Sequence, residues 1–280
     1  MNSKKIKVLA VLVNYGDEQL SYLEKVVATL KSFEKYEVSV IVHSNIELAI
    51  SGIDKVIIYK LDNYQLLPLT CRETIWDNRT NYDVFIYGEN DHLFLEKHID
   101  NHLLYAKILP KNRISGLIQI EKNGDEVYYP GYHSGKGYNF DWDYKSVETF
   151  HGKKFAQFSN LHQATFILTK EQLFRIGKKI NFVELVDESE NQLLLTFKRK
   201  LRKFFGIQFK NKKILYSVKC KVNTDVYKFG GLKKVICISD FNENLIHHLP
   251  NLYIDGIEGR KKLRADSKKM QNAIELLLGK

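Results

Sequence analysis

Cysteine is scarce in this chain. Cys71, Cys220 and Cys237 are the only three in 280 residues. They are odd in number, widely separated and never spaced C-x-x-C, so the spacing writes neither a disulfide framework nor a zinc site, and a reducing cytoplasm fits. Only four prolines occur, and no Ser/Gly-rich run, so no linker is expected. No stretch approaches the roughly 18 consecutive apolar residues of a membrane span. The start, MNSKKIKVLAVLVNYG, has the basic and apolar parts of a signal peptide, but the run VLAVLV stops at Asn14 with no small-residue cleavage site after it. It reads as a first buried strand. Acidic residues are also short, 33 against 43 Lys and Arg, which gives a net charge of +10.

What is present is ordinary for a globular protein: 44% hydrophobic and 27% charged residues, enough chain for one large domain or two small ones. The excess charge is concentrated. Eight basic residues and no acidic one lie between Lys198 and Lys213, and Arg260, Lys261, Lys262, Arg264, Lys268 and Lys269 form a second cluster. Such patches attract polyanions: nucleic acid, anionic lipid headgroups or phosphorylated substrates. In FKRKLRKFFGIQFKNKK, Phe197, Leu201, Phe204 and Phe205 interleave with the cations, a pattern that suits a helix lying on an anionic membrane.

The periodicity predicts a strand over 6–13, a helix over 18–34, strands at 37–43 and 55–61, a helix over 66–79, a strand at 83–88 and a helix near 96–108. Continuous apolar strands alternating with helices predict a mostly parallel sheet covered on both faces. Ligands of such sheets sit beyond the carboxyl ends of the strands, where Tyr15, Asp62 and Glu89 fall. The second half differs. Asn123-Gly124 between strand-like runs signals a hairpin. Residues 128–160, rich in Tyr, His, Trp and Gly, read as a long loop, and such length is usually functional. A strand at 164–168 follows, then a helix to about 179 capped by Thr169, a helix near 188–204, strands near 213–219 and 234–238, and a last helix over 264–278.

FIYGENDHLF, residues 85–94, carries the sharpest signal. Residues at i and i+2 of an extended segment point the same way, so Glu89 and Asp91 converge at a sheet edge. Two carboxylates that close repel unless a cation lies between them. Oxygen ligands suit Mg²⁺ or Mn²⁺, which substrate phosphates and water usually complete. The plain alternative is a polar strand-to-helix turn in which Asn90 or Asp91 caps the next helix. Gly88 adds room for close backbone approach.

The first strand with Asn14-Tyr15, the β-α-β run, and the acid-x-acid element Glu89-Asn90-Asp91 resemble a GT-A glycosyltransferase over roughly residues 6–250. The first motif position departs from the family's Asp, which makes Asp91 the firmer metal ligand. The resemblance implies an α/β, GT-A-like (Rossmann-like) fold with a C-terminal acceptor-side α+β portion. Residues 1–125 would form the nucleotide-sugar-binding half of one domain, 126–255 the acceptor-side half, and 256–280 a basic helix. It implies a nucleotide-sugar donor, a glycan or lipid-linked acceptor and Mn²⁺ or Mg²⁺. The setting would be bacterial surface polysaccharide or lipopolysaccharide synthesis, in the cytoplasm or peripherally on the inner face of the membrane.

Residue by residue, the resemblance places Asn14, Tyr15, Asp62, Arg72 and Glu89 at the nucleotide, with Tyr15 stacking on the base. Asp91 and Glu89 would hold the metal with a late histidine, His248 or His247; adjacent strand residues face opposite ways, so one of the two reaches the site. Asp187, Glu188 or Glu190 would be the base, although acids at a helix start also serve the helix dipole. Tyr132, His133, Trp142 and His162 would meet the acceptor, sugar C–H faces packing on rings; ordinary loop packing explains them equally. Two other classes compete. A sugar-phosphate nucleotidyltransferase needs a Gly-rich basic loop after its first strand, which VNYGDEQ lacks. A basic nucleic-acid-binding module fits the charge, but no such motif is present and the acidic pair opposes it, so no nucleic acid is expected.

Overall fold

The structure is a computed structural model that describes residues 5–130, 142–158, 160–187, 217–255 and 265–279. Its centre is the first strand, β1 (Ile6–Asn14). Val8 through Leu12 have no solvent exposure, and each Val or Leu side chain among them contributes about 1.5–3 kcal/mol on burial. The helix α1 (Leu20–Lys31) then leads to β2 (Tyr36–Ser44), which pairs in parallel with β1, Asn14 opposite Ser44. β3 (Lys55–Ile58) extends the sheet at one edge. The helix α2 (Leu67–Asp77) crosses back, and β4 (Val84–Glu89) pairs with the other side of β1. The strand Phe166–Thr169 closes that edge, antiparallel to β4.

Going outward from β1 in one direction and then returning to its other flank makes β1/β4 the point where the strand order reverses. Helix α1 buries Leu23, Val26, Val27 and Leu30 against one face of this sheet, and α2 buries Leu67, Cys71 and Ile75 against the other. The crevice at such a reversal, beyond the carboxyl ends, is where ligands bind in these sheets. Asn14, Glu89 and Asn90 stand there.

Two further sheets complete the described fold. One pairs Arg113–Ser115 with Lys233–Cys237, then Lys153–Ala156 and Glu148–Phe150. The other pairs Leu245–His248 with Ile118–Asn123 on one side and His92–Leu93 on the other, and adds Glu126–Tyr129 and Ala265–Asp266. Both sheets therefore combine strands from before and after residue 125. The expected hairpin is present, with Gly124 at φ +58°.

The structure corrects two local expectations. The stretch read as a long loop contains the strand pair Glu148–Phe150 and Lys153–Ala156, turned by His151 and Gly152 in left-handed conformations. Of the strand expected near 213–219, residues 213–216 lie outside the described residues, and the rest is the start of a helix, Val218–Phe229, whose N-cap Ser217 accepts from the Cys220 amide. Asn223, Thr224 and Asp225 are buried in it beside Val222, Val226 and Tyr227, so its inward side is half polar and its apolar period is weak. The expected helix near 188–204 lies outside the described residues.

Candidate active site

A cleft of about 640 Å³ opens at the β1/β4 reversal, within the usual range for ligand sites, about 300–1,000 Å³. Its walls come from four places: the end of β1 (Val13, Tyr15), the segment before α2 (Asn63, Tyr64, Gln65), the turn after β4 (Glu89 to His92), and later residues that include His162, Lys219, Cys220, His248 and Tyr253.

The turn after β4 is fixed by asparagines. Asn14 is buried; its amide donates to the Gly16 carbonyl at 2.9 Å, and its oxygen accepts from Asn90 Nδ2 at 2.7 Å. The next helix, α3 (Glu96–Ile108), is capped by Leu95, so neither Asn90 nor Asp91 serves as its cap. Gly88 makes room for packing. A Cβ there would lie 2.6 Å from the Phe94 ring, so the ring takes the space.

Asp91 is buried, 5% exposed. Its Oδ2 lies 3.4 Å from His248 Nε2. Its Oδ1 lies 2.7 Å from His92 Nδ1, out of line for a directed hydrogen bond. Burial alone would raise the Asp91 carboxyl, but the adjoining His92 and His248 hold it well below the usual carboxylate range. His248 has its other nitrogen, Nδ1, 2.8 Å from Glu121 Oε1. Burial pulls His248 down, yet hydrogen bonds to Asp91 and Glu121 push it up to about 9. Glu89 points elsewhere: its carboxylate pairs with Lys219 at 2.8 Å, and Glu89 in turn raises the Lys219 ammonium. The two motif carboxylates thus have separate cationic partners, which removes the repulsion between them.

The donor set also suits a cation. Asp91 and Glu121 bring one carboxylate to each ring nitrogen of His248. Asp91 Oδ1 is a buried acceptor without a directed bond, and histidine Nε2 with a carboxylate behind Nδ1 is the usual arrangement of a ligating imidazole. Among the described residues no group of three or more His, Cys, Asp or Glu side chains is arranged to hold a metal. Asp91 and His248 would therefore be two protein ligands, with phosphate and water filling the rest, as hard dications commonly accept.

His162 also lines the cleft. Burial lowers it to about 4, and its Nδ1 faces Asn223 Nδ2 at 3.3 Å. Its segment has little regular structure, and Ala164 sits at φ +53°. Buried polar groups hold it. Gln163 accepts from the Leu117 amide at 3.0 Å and donates to the Tyr227 hydroxyl at 2.8 Å. Lys234, 2% exposed, donates to the Leu161 carbonyl at 3.2 Å. At the rim, Tyr15 is 62% exposed with its ring centroid 5.2 Å from that of Tyr64.

Tyr15, Glu89, Asp91, His162 and His248 are thus brought to one cleft, and Asn14 stands directly behind it. Other expected residues are not. Arg72 is fully buried. It donates through Nε to the Phe182 carbonyl and lies over the Phe182 ring at 4.9 Å, a tie between α2 and the later chain rather than a reach toward a nucleotide. Asp62 is exposed and outside the lining, where Asn63, Tyr64 and Gln65 stand instead. His247 faces away from His248, as strand alternation requires, and does not line the cleft. Trp142 is buried against Phe158, ring centroids 4.7 Å apart, in the core of the third sheet. Asp187 is exposed and outside the lining; the residue before it is anchored by Val186 N–H donating to Asp225 at 2.9 Å. Glu188, Glu190, Tyr132 and His133 lie outside the described residues, as do the basic cluster at 198–213 and residues 260–264 of the second cluster. No described helix is long and apolar enough to cross a membrane.

Sequence reasoning missed Lys219, Cys220, Gln119, His92 and Glu121. For two of them a signal existed. Gln119 and Glu121 alternate with Ile118 and Ile120, so one face of an otherwise apolar strand is polar, and a buried polar face needs partners.

Mixed α/β architecture, with three sheets flanked by helices and a cleft at a strand-order reversal, is the class the described residues define. No family model and no curated protein matches the chain in sequence. Among solved structures it is similar to S. aureus TarS, at 9% identity over 61% of this chain and 30% of that one, with a TM-score of 0.36. It is also similar to the 1–349 portion of S. aureus TarS, at 11% identity over 67% of this chain and 53% of that one, with a TM-score of 0.37. The chain thus overlaps about half or less of the length of these neighbours. The likeness is partial.

Proposed function

We propose that the protein is a glycosyltransferase that moves a sugar from a nucleotide-sugar donor to a glycan or glycolipid acceptor in surface-polysaccharide synthesis. The observation that carries this reading is the convergence of Asp91 and His248 with the Lys219–Glu89 pair in one cleft at the β1/β4 reversal. An acidic and a basic edge facing each other suit a diphosphate. Phosphate oxygens can draw Lys219, half exposed, from Glu89, and Tyr15 with Tyr64 offers ring faces to a base at the rim.

The chain's own residues have distinct tasks in this reading. Asp91 and His248 would hold Mn²⁺ or Mg²⁺, which when bound supplies positive charge to the departing diphosphate. Lys219, which lines the same cleft, neutralises the same leaving group. Asn14 and Asn90 keep the turn in place. His162, neutral at physiological pH, presents a polar ring to sugar hydroxyls. The candidates for the base are Asp187, which stands outside the cleft lining, and Glu188, which lies outside the described residues; Val186, just before them, is tied by Asp225 and Lys221 to the helix bearing Lys219. In the transfer, the acceptor oxygen bonds to the anomeric carbon, the bond from that carbon to the diphosphate breaks, and the acceptor proton passes to a carboxylate.

The test is a thermal-shift series of nucleoside diphosphates with and without Mn²⁺, followed by turnover of the matching nucleotide-sugar. A ligand at 100 times its Kd stabilises by about 2.7 kcal/mol. Asp91→Asn is expected to abolish both the metal-dependent part of that shift and transfer while the fold survives. Full turnover by Asp91→Asn refutes the reading.

A further inference from the structure

We propose that Glu121 is a positioning residue for the cation-binding edge of the cleft: it holds the His248 ring with Nδ1–H directed at its own carboxylate, so that Nε2 is the nitrogen turned to Asp91. This rests on the reading of Asp91 and His248 as cation ligands.

Glu121 lies in the strand Ile118–Asn123 and has no solvent exposure. It does not line the cleft, so it acts only through what it touches. Both of its oxygens are committed. Oε1 meets His248 Nδ1 at 2.8 Å. Oε2 accepts the backbone N–H groups of Tyr253 at 2.8 Å and Ile254 at 3.0 Å. A carboxylate with three donors facing it is an acceptor at every contact, so Nδ1 carries a proton. The neutral ring then has its lone pair on Nε2, 3.4 Å from Asp91 Oδ2. An imidazole lone pair and a carboxylate oxygen brought together at one point repel unless a proton or a metal cation joins them, and the neutral ring leaves that place to the metal.

The two backbone donors make the arrangement testable by one atom. In Glu121→Gln the amide oxygen must face Tyr253 N–H and Ile254 N–H, because the amide NH₂ would oppose two donors. The NH₂ group is thereby turned to His248 Nδ1, which must now accept. The neutral ring moves its proton to Nε2, where it points at Asp91 and occupies the cation's place. Shape and the number of hydrogen bonds stay the same, while the ring's tautomer reverses.

The experiment compares the full-length protein with Glu121→Gln by Mn²⁺ titration with a nucleoside diphosphate present, thermal denaturation, and nitrogen-15 spectra of His248 without metal at a pH where the ring is neutral. The expected result is Mn²⁺ affinity lowered about tenfold to a hundredfold in the variant, a near-equal melting temperature, and Nδ1–H in the parent replaced by Nε2–H in the variant. Equal Mn²⁺ affinity in the two proteins overturns the proposal. So does an Nε2–H tautomer in the unsubstituted protein, a measurement that needs no variant to fold. If neither protein binds Mn²⁺ yet the tautomers switch, Glu121's hold on His248 stands and the cation reading of Asp91 and His248 falls.

Discussion

Replacing Lys234 by methionine should make the protein more stable, and by an amount set by pH. Lys234 is buried behind the cleft wall, with its Nζ donating to the Leu161 carbonyl and lying 5.4 Å from the centre of the Tyr227 ring. No carboxylate accompanies it among the described residues, and burial lowers it from 10.5 to about 7. At about 1.4 kcal/mol per pH unit, that drop corresponds to about 5 kcal/mol. The sign follows from proton binding. Between pH 7 and 10.5 the unfolded chain holds the lysine proton and the folded chain does not, so stability rises with pH across this window. Below about pH 7 the full cost is present, and above 10.5 it is gone. Methionine has similar length and no charge, so it removes the cost. It also leaves the Leu161 carbonyl short of a donor, which costs about 1–3 kcal/mol. The net expectation is a gain of about 2–4 kcal/mol at pH 6–7, turning to a small loss near pH 10.5. Urea denaturation at pH 6, 8 and 10 measures it. A Lys234→Met protein that is less stable at every pH and keeps the parent's slope would show that Lys234 is not a buried, uncompensated amine.

Three further outcomes are expected. Lys219→Met removes the cation that faces the diphosphate, so donor KM should rise about tenfold or more, and nucleotide affinity should lose part of its salt dependence; steady-state kinetics at two salt concentrations checks this. Tyr15→Ala should weaken nucleotide binding by about 1–3 kcal/mol while leaving the melting temperature nearly unchanged, because the ring is mostly exposed; calorimetric titration decides. Gly88→Ala places a Cβ 2.6 Å from the Phe94 ring, and such overpacking should cost about 1–3 kcal/mol in chemical denaturation.

The central sheet was legible because its elements come from local pattern. β1 and β4 are largely apolar runs, and α1 and α2 have apolar residues at helical spacing, so the alternation of strands and helices and the place of Tyr15 and Glu89 at strand ends followed, while the strand order came only from the structure. The helix Val218–Phe229 was not legible. It buries Asn223, Thr224 and Asp225 against partners from distant chain, such as His162 and Val186, and long-range hydrogen bonds leave no period. For the same reason Lys219 was missed. Arg72 was misjudged because an arginine beside a site reads as a phosphate ligand; only the packing shows its guanidinium turned to the Phe182 carbonyl. The choice between His247 and His248 needed the sheet register, which sets His248 opposite His92.

The pairing of Arg113–Ser115 and Ile118–Asn123 with strands from the chain's last third bears on how the protein is made. While a ribosome is still adding residues, the early sheet can form, but Glu121 has no histidine to hold and Asp91 has no ring across from it. The pocket is finished only when Leu245–Tyr253 have emerged. A fragment ending near residue 125 is therefore no miniature donor-binding module. A chain interrupted shortly before His248 would lack the ring that faces Asp91 and, on the reading proposed above, half of the cation site.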